Sequence, residues 1–245
     1  MELKIVLSDL QAPYHDRRAV AAVCNLLSDQ ASRISEVHQV GDFYDFTGIS
    51  RWVDGTLAER GLQQELDGSR QLLVDLHSAY RGPKTRILGN HDDRLRKYLG
   101  TKAKGLADLR VLGYDYLTDA DRYGWTTVPE PYMVAPGTTA VHGLSVRSKA
   151  GYTAHAHLDR VDSHVIHGHT HRAALVYRTV GARTRWAMET GCLMDKGKAS
   201  YAAGGFVDWQ HAIAALWIDG KETFPVLIEL KGDRSLVFEG KRYRP

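Results

Sequence analysis

Five short apolar runs in this chain end in the same kind of residue. Leu3 to Leu7 leads into Ser8-Asp9, Val37 to Val40 into Gly41-Asp42, and Arg86 to Leu88 into Gly89-Asn90-His91-Asp92. Further on, the runs 138–142 and 164–167 close on His142-Gly143 and on Gly168-His169-Thr170-His171. Runs of this length and β-branched content read as buried strands. Between the first three lie helical spacings. Residues 16–29 carry Val20, Val23, Leu26 and Leu27 behind a starting Asp16, and Leu57 to Tyr80 carries Leu62, Leu66, Leu72, Leu73 and Leu76. Gly61 and Gly68 weaken that second helix, and Gly82-Pro83 ends it. Strand–helix alternation of this kind makes a sheet whose strand ends share one edge, where α/β folds place their sites.

The second half changes character. A short helix after His91 and another near 103–112 lead into irregular sequence with Tyr114, Tyr116, Tyr123 and Trp125. Strands then dominate, at 138–142, 164–167, 173–180, 184–190, 210–218 and 224–230, with one helix at about 151–160. No repeat, low-complexity tract or linker divides the 245 residues, so the expectation is one α/β domain, 1–245, with two packed sheets. Two cysteines, Cys24 and Cys192, build neither a disulfide framework nor a thiolate zinc site. The longest later apolar run, Ala212 to Ile218, is far short of the roughly 20 residues of a membrane helix. A cytoplasmic chain that uses no membrane is expected. The net charge of +3 is too mild for a dedicated nucleic-acid binder. Its local basic stretches, Arg94 to Arg110 and the C-terminus, read as a solvated helical face and a frayed tail.

Asp, Asn and neutral His together suit a divalent first-row metal, with no thiolate to select zinc. Two carboxylates would leave a pair of divalent ions with net positive charge, an attractive pocket for phosphate. Two metals roughly 3.5–4 Å apart also share a water and lower its pKa. The donor set therefore points to hydrolysis of a phosphate ester.

In order along the chain, Asp9-x-Gln11, Gly41-Asp42-x-x-Asp45, Gly89-Asn90-His91-Asp92, Val141-His142-Gly143 and Gly168-His169-Thr170-His171 resemble the calcineurin-like metallophosphoesterases, in particular compact phosphodiesterases, some phage-borne. The resemblance spans residues 5–171 and implies a four-layer α/β/β/α sandwich of two mixed sheets flanked by helices. It implies two divalent ions, with Mn favoured and Fe, Zn or Ni as alternatives. Asp9, Gln11, Asp42 and His171 would form one shell, and Asp42, Asn90, His142 and His169 the other. His91 would be the catalytic histidine, oriented by Asp45, with Asn90 and His91 contacting substrate. Gln11 departs from the pattern, because the family usually has His there. An amide oxygen is a weaker ligand, so a more exchangeable first metal is expected.

What the resemblance implies is direct attack of a metal-bridging hydroxide on a nucleotide phosphodiester, 2′,3′-cyclic nucleotides being favoured, without a phospho-enzyme. The partner is then a small nucleotide or phosphodiester substrate, with the oligomeric state open, in the host cytoplasm if the gene is phage-borne. The enzymatic alternatives are a phosphomonoesterase, including a protein phosphatase, and a DNA or RNA nuclease. A metal-binding scaffold is the non-enzymatic one; a retromer subunit of similar fold lacks the catalytic histidine, whereas His91 is retained here. The other histidines read as ordinary. His167 is expected in the core beside the ligands, His155 and His157 diverge on their helix, and His15 lines the pocket or a turn. His38, His77, His164 and His211 read as surface or core, Cys192 as a small hydrophobe, and the aromatics after Gly113 as a local core.

Overall fold

The computed structural model describes residues 1–50, 61–143, 145–198 and 207–245. Strand β1 (Glu2–Leu7) is followed by α1 (Arg17–Asp29), β2 (Ile34–Val40), α2 (Leu62–Ala79) and β3 (Lys84–Ile87). Asp16 starts α1 as expected, its carboxylate accepting the amides of Arg18 (3.0 Å) and Ala19 (3.1 Å), donors the helix itself cannot satisfy. The predicted start of the second helix at Leu57 lies outside the described residues, and α2 is seen from Leu62.

Next come α3 (Arg94–Lys102), α4 (Tyr114–Thr118), β4 (Trp125–Thr127), β5 (Tyr132–Ala135), β6 (Thr138–Val141) and α5 (Tyr152–Leu158). The chain ends in β7 (His164–His167), β8 (Ala173–Val180), β9 (Arg183–Thr190), β10 (Ala212–Asp219), β11 (Glu222–Glu229), β12 (Leu236–Phe238) and β13 (Lys241–Tyr243). The expected helix near 103–112 is instead two single 3-10 turns, at Lys104–Leu106 and Arg110–Leu112, that bury none of their residues.

Two mixed sheets form the centre. The six-stranded sheet has the order β11-β10-β1-β2-β3-β4, with β1 to β4 parallel and β10 and β11 antiparallel. The five-stranded sheet has the order β5-β6-β7-β9-β8, with β6, β7 and β9 parallel. Alternation along the strands assigns their faces. Leu3, Ile5 and Leu7 of β1 pack with Val23, Leu26, Leu72 and Leu76 of α1 and α2, whereas Val6 joins Val40, Ala140, Ile166, Met188, Ala214 and Leu216 between the sheets. On the far side, Ala154 and Leu158 of α5 pack on Val165 and Ala187. The result is the expected α/β/β/α sandwich.

The C-terminus is not frayed. β12 and β13 form a hairpin that buries Leu236, Phe238 and Tyr243 in the helical-side core, and Lys241 pairs with Asp29 of α1. Three-residue strands are too short to show period-two patterning, and Lys241 and Arg242 within β13 made the segment read as a solvated tail. The aromatic segment does not make a core of its own; Trp125, Tyr114 and Tyr123 join the helical-side core. Trp125 meets Phe43 edge-on, and Tyr114 meets Tyr44 and Phe46, while Tyr116 is exposed. No described helix is long and apolar enough to cross a membrane.

Candidate metal centre

Because β1, β2 and β3 run parallel, the residues after their C-terminal ends lie on one sheet edge, and the same holds for β6 and β7. The two edges are joined directly. His142, after β6, donates from Nδ1 to the Val40 carbonyl of β2 at 3.0 Å, and the His169 amide donates to the Asp9 carboxylate at 3.0 Å. This closure brings together every residue the sequence pattern singled out.

One group centres on Asp42, His142 and His169, whose ligand atoms all lie within 4.8 Å of one another. With Nδ1–H given to Val40, His142 turns the lone pair of Nε2 toward Asp42 Oδ2 (3.3 Å) and Asn90 Oδ1 (3.1 Å). Three acceptors converging in a buried place call for a cation or a proton between them. The second group holds Asp9 and His171, with Asp9 Oδ1 3.2 Å from His171 Nε2. The Gln11 amide nitrogen lies 3.3 Å from the same imidazole nitrogen, so a half-turn of the amide brings Oε1 to that point. Gln11, Asp9, Asp42, His142 and His171 are all buried.

Charge supports the fit. Burial opposes ionisation of Asp42, but His142 and His91 outweigh it and hold the carboxyl well below its usual range. Burial likewise opposes ionisation of Asp9, and His171 outweighs it. Burial opposes charge on His142, yet Asp42 pushes its pKa up to about 10, while His169 is pushed down by burial and by the His142 charge. Two ionised carboxylates here hold a proton on an imidazole, the place a divalent ion takes by displacing protons. A divalent ion held by N and O donors suits the residues present.

Beside this cluster lies a third group. The His91 amide donates to Asp42 Oδ1 at 2.8 Å, and the ring bonds through Nδ1 to Asp45. Thr47 donates its hydroxyl to the other Asp45 oxygen. Burial opposes charge on His91, but Asp42 and Asp45 raise its pKa above the ordinary value. Nε2 faces Arg94 Nη2 at 3.2 Å and Asp42 Oδ2 at 3.8 Å.

Three supporting residues escaped the sequence reading. Asp92 accepts the amides of Phe43 (3.2 Å), Tyr44 (3.0 Å) and Gly89 (2.9 Å) and the Tyr114 hydroxyl (2.7 Å), so it ties the loop after β2 to the loop after β3. Glu65 of α2 accepts the amides of Thr47 and Gly48, each at 2.9 Å. Arg94 stood in a basic stretch read as solvated. Its neighbours Arg96 and Lys97 do face water and pair with Asp93, but Arg94 turns inward. An Arg three residues past His91, at the start of a helix, was the available signal.

The remaining histidines lie apart from the cluster. His167 is fully buried beneath it with its ring 4.7 Å from that of His157, and His155 is exposed on α5. His15 is buried at the start of α1 and lines a groove of about 520 Å³ between α1 and α2, not the metal edge. His38 and His211 are buried, and His77 and His164 half-buried.

No family model matches the chain. It is 34% identical over 242 residues to the Gene 54 protein of Mycobacterium phage L5, covering 94% of each. The Gene 54 protein of Mycobacterium phage D29 gives the same identity and coverage. Among solved structures, Chaetomium thermophilum Vps29 matches with a TM-score of 0.55 at 12% identity, over 100% of this chain and 99% of that one.

Proposed function

Since this chain belongs to one family with the mycobacteriophage Gene 54 proteins and shares the fold of Vps29, we propose that it is a calcineurin-like, dinuclear-metal-dependent phosphodiesterase acting on small nucleotide phosphodiesters, 2′,3′-cyclic nucleotides first among them. The observation that carries the reading is the convergence at one edge of Asp42, Asn90, His142 and His169 with Asp9, Gln11 and His171, flanked by the His91–Asp45 pair. Diesters are preferred because the described residues are used in the two sheets and their covering elements, without a separate cap over the edge.

The first four residues named would hold one divalent ion and Asp9, Gln11, Asp42 and His171 the other. Mn is favoured, and the ions when bound supply Lewis acidity and a positive field for phosphate oxygens. The chain's own groups do the rest. Asn90 stands where its amide can meet a phosphate oxygen. Asp45, held by Thr47 and Arg94, fixes the His91 ring with Nδ1–H inward and Nε2 outward. His91 then delivers a proton from Nε2 to the departing ester oxygen. Attack by water requires no side-chain nucleophile, so no phospho-enzyme forms.

The test is a panel of a bis-ester, a monoester and 2′,3′-cyclic nucleotides with Mn, comparing wild type with His91→Ala. Loss of a general acid should lower kcat on diesters by roughly 10²–10⁴-fold. Equal rates on every ester, or a trapped phospho-enzyme, would overturn the reading.

A further inference from the structure

Among the described residues Arg94 is the arginine that the fold turns toward both Asp45 and His91, and the proposed metal shells leave it unused. Its Nη1 donates to the Asp45 carbonyl at 2.7 Å and to Asp45 Oδ1 at 3.3 Å. The same guanidinium places Nη2 3.2 Å from His91 Nε2, the atom that must meet the substrate oxygen. Its side chain is only 16% exposed, so it is held at the mouth of the site rather than waving in solvent. The adjacent cations cannot substitute for it. Arg96 and Lys97 are 79% and 60% exposed, and both pair with Asp93 on the outer face of α3.

We propose that Arg94 is a phosphate-contacting catalytic residue, anchored through Asp45, whose Nη2 binds an oxygen of the phosphoryl group next to His91; this rests on the phosphoesterase reading. A planar guanidinium can spend one nitrogen on Asp45 and offer another to an oxyanion, which a lysine ammonium cannot do in fixed geometry. The Nη2–Nε2 contact also explains how the site is held before substrate arrives. Nη2 and Nε2 lie 3.2 Å apart with Asp45 holding both side chains, and a phosphate oxygen seated between them accepts N–H groups from both. The ligand chemistry is therefore a tetrahedral oxyanion at the junction of Arg94 and His91. No bond to Arg94 forms or breaks.

The test compares wild type, R94A, R94Q and R94K, each loaded with Mn and matched for metal content and thermal midpoint. Calorimetric titration with inorganic phosphate needs no turnover. R94A and R94Q should bind phosphate about 10-fold or more weakly and lose roughly 10²–10³-fold in kcat/KM on a bis-ester. R94K should regain much of the phosphate affinity through its charge while kcat stays low, because the Asp45-anchored fork is gone. Phosphate affinity of R94A equal to wild type would overturn the contact, and wild-type kcat in R94K would overturn the need for a fork. Should wild type hydrolyse no phosphate ester, the functional reading falls, and the phosphate titration still decides Arg94.

Discussion

Asp92 offers the sharpest test of how the two loops of the site are held. Its carboxylate is 1% exposed and has four donors around it: Phe43 and Gly89 amides on Oδ2, and the Tyr44 amide with the Tyr114 hydroxyl on Oδ1. Asp92→Ala strands three buried amides, since the Tyr114 hydroxyl alone can rotate elsewhere. At about 1–3 kcal/mol per unsatisfied buried group, less the relief of no longer burying a carboxyl, a loss of ~3–5 kcal/mol is expected. Asp92→Asn is a different perturbation. Its oxygen can keep the Phe43 and Gly89 amides, and its NH₂ can donate to a rotated Tyr114 hydroxyl, so one amide, that of Tyr44, loses its acceptor. That costs ~1–3 kcal/mol. Burial, with the Asp42 charge added, already raises the pKa of Asp92, so the neutral amide is not foreign to the site. For a chain of 245 residues each kcal/mol moves the thermal midpoint by about 2–4 °C. Urea unfolding of the three proteins, with bound Mn measured alongside, gives the answer. Asp92→Ala within about 1 kcal/mol of wild type, or Asp92→Asn as damaging as Asp92→Ala, would refute the reasoning.

Other outcomes follow from single contacts. Gln11→His should retain more metal through dilution and dialysis, because imidazole is the stronger donor beside His171, and unchanged retention would mean that residue 11 is no ligand. Gly168→Ala should lose metal and activity together, since a Cβ there would sit 2.1 Å from Ser8 Oγ and 2.5 Å from Asp9 Oδ2, to be read by metal content on the folded variant. Gly89→Ala meets Asp42 Oδ1 at 2.0 Å and its backbone nitrogen at 2.3 Å, and should fail in the same assay. Burial pushes the His15 pKa down to about 4, so the fold holds it neutral while the unfolded chain protonates near its ordinary value. Stability from this source is complete above about pH 6.5 and is lost as pH falls toward 4, by up to about 3 kcal/mol. His15→Gln should flatten the dependence of urea midpoints between pH 7 and 4, and an equal slope in both proteins would contradict it.

The legible part of the molecule was the part written in strong local signals. The runs ending at Leu7, Val40 and Ile87 are buried strands with helices between them, and their polar ends follow from chain direction alone. Ligand candidates inherit that clarity, because each lies within four residues past the end of a strand. What stayed hidden depends on tertiary direction. Arg94, Arg96 and Lys97 are chemically alike in sequence, and only the phase of α3 and the position of Asp45 turn the first inward. Asp92 was counted as part of a motif, but its four partners come from three separate segments, a fact no local pattern carries. The short strands β4, β5, β12 and β13 span three or four residues each, too few to distinguish from loop by periodicity.

Backbone conformation links the two kinds of information. Asp9, Gln11, Asp42, His169 and His171 all have positive φ, between 46° and 69°, although none is glycine. A strand that continued straight would point these side chains along alternating faces of the sheet; a left-handed residue just past the strand swings the side chain over the edge instead. Such conformers cost of order 1–3 kcal/mol each and persist only where the surroundings over-determine them. Here they do. Backbone bonds from Asp9 to Gly41, Gln11 to Asp42 and Leu193 to Asp9 pin the turns from both sides. Asp and His are also among the non-glycine residues that tolerate this region best. The same side chains that can hold a divalent ion are thus the ones the bent backbone accepts most readily. A β-branched residue at Asp9 or Asp42 would lose both properties at once. Gln11 is the member of the set without a special tolerance for this conformation, so His at that position should relieve strain as well as improve the donor, and Gln11→His should raise the thermal midpoint of the metal-free protein too.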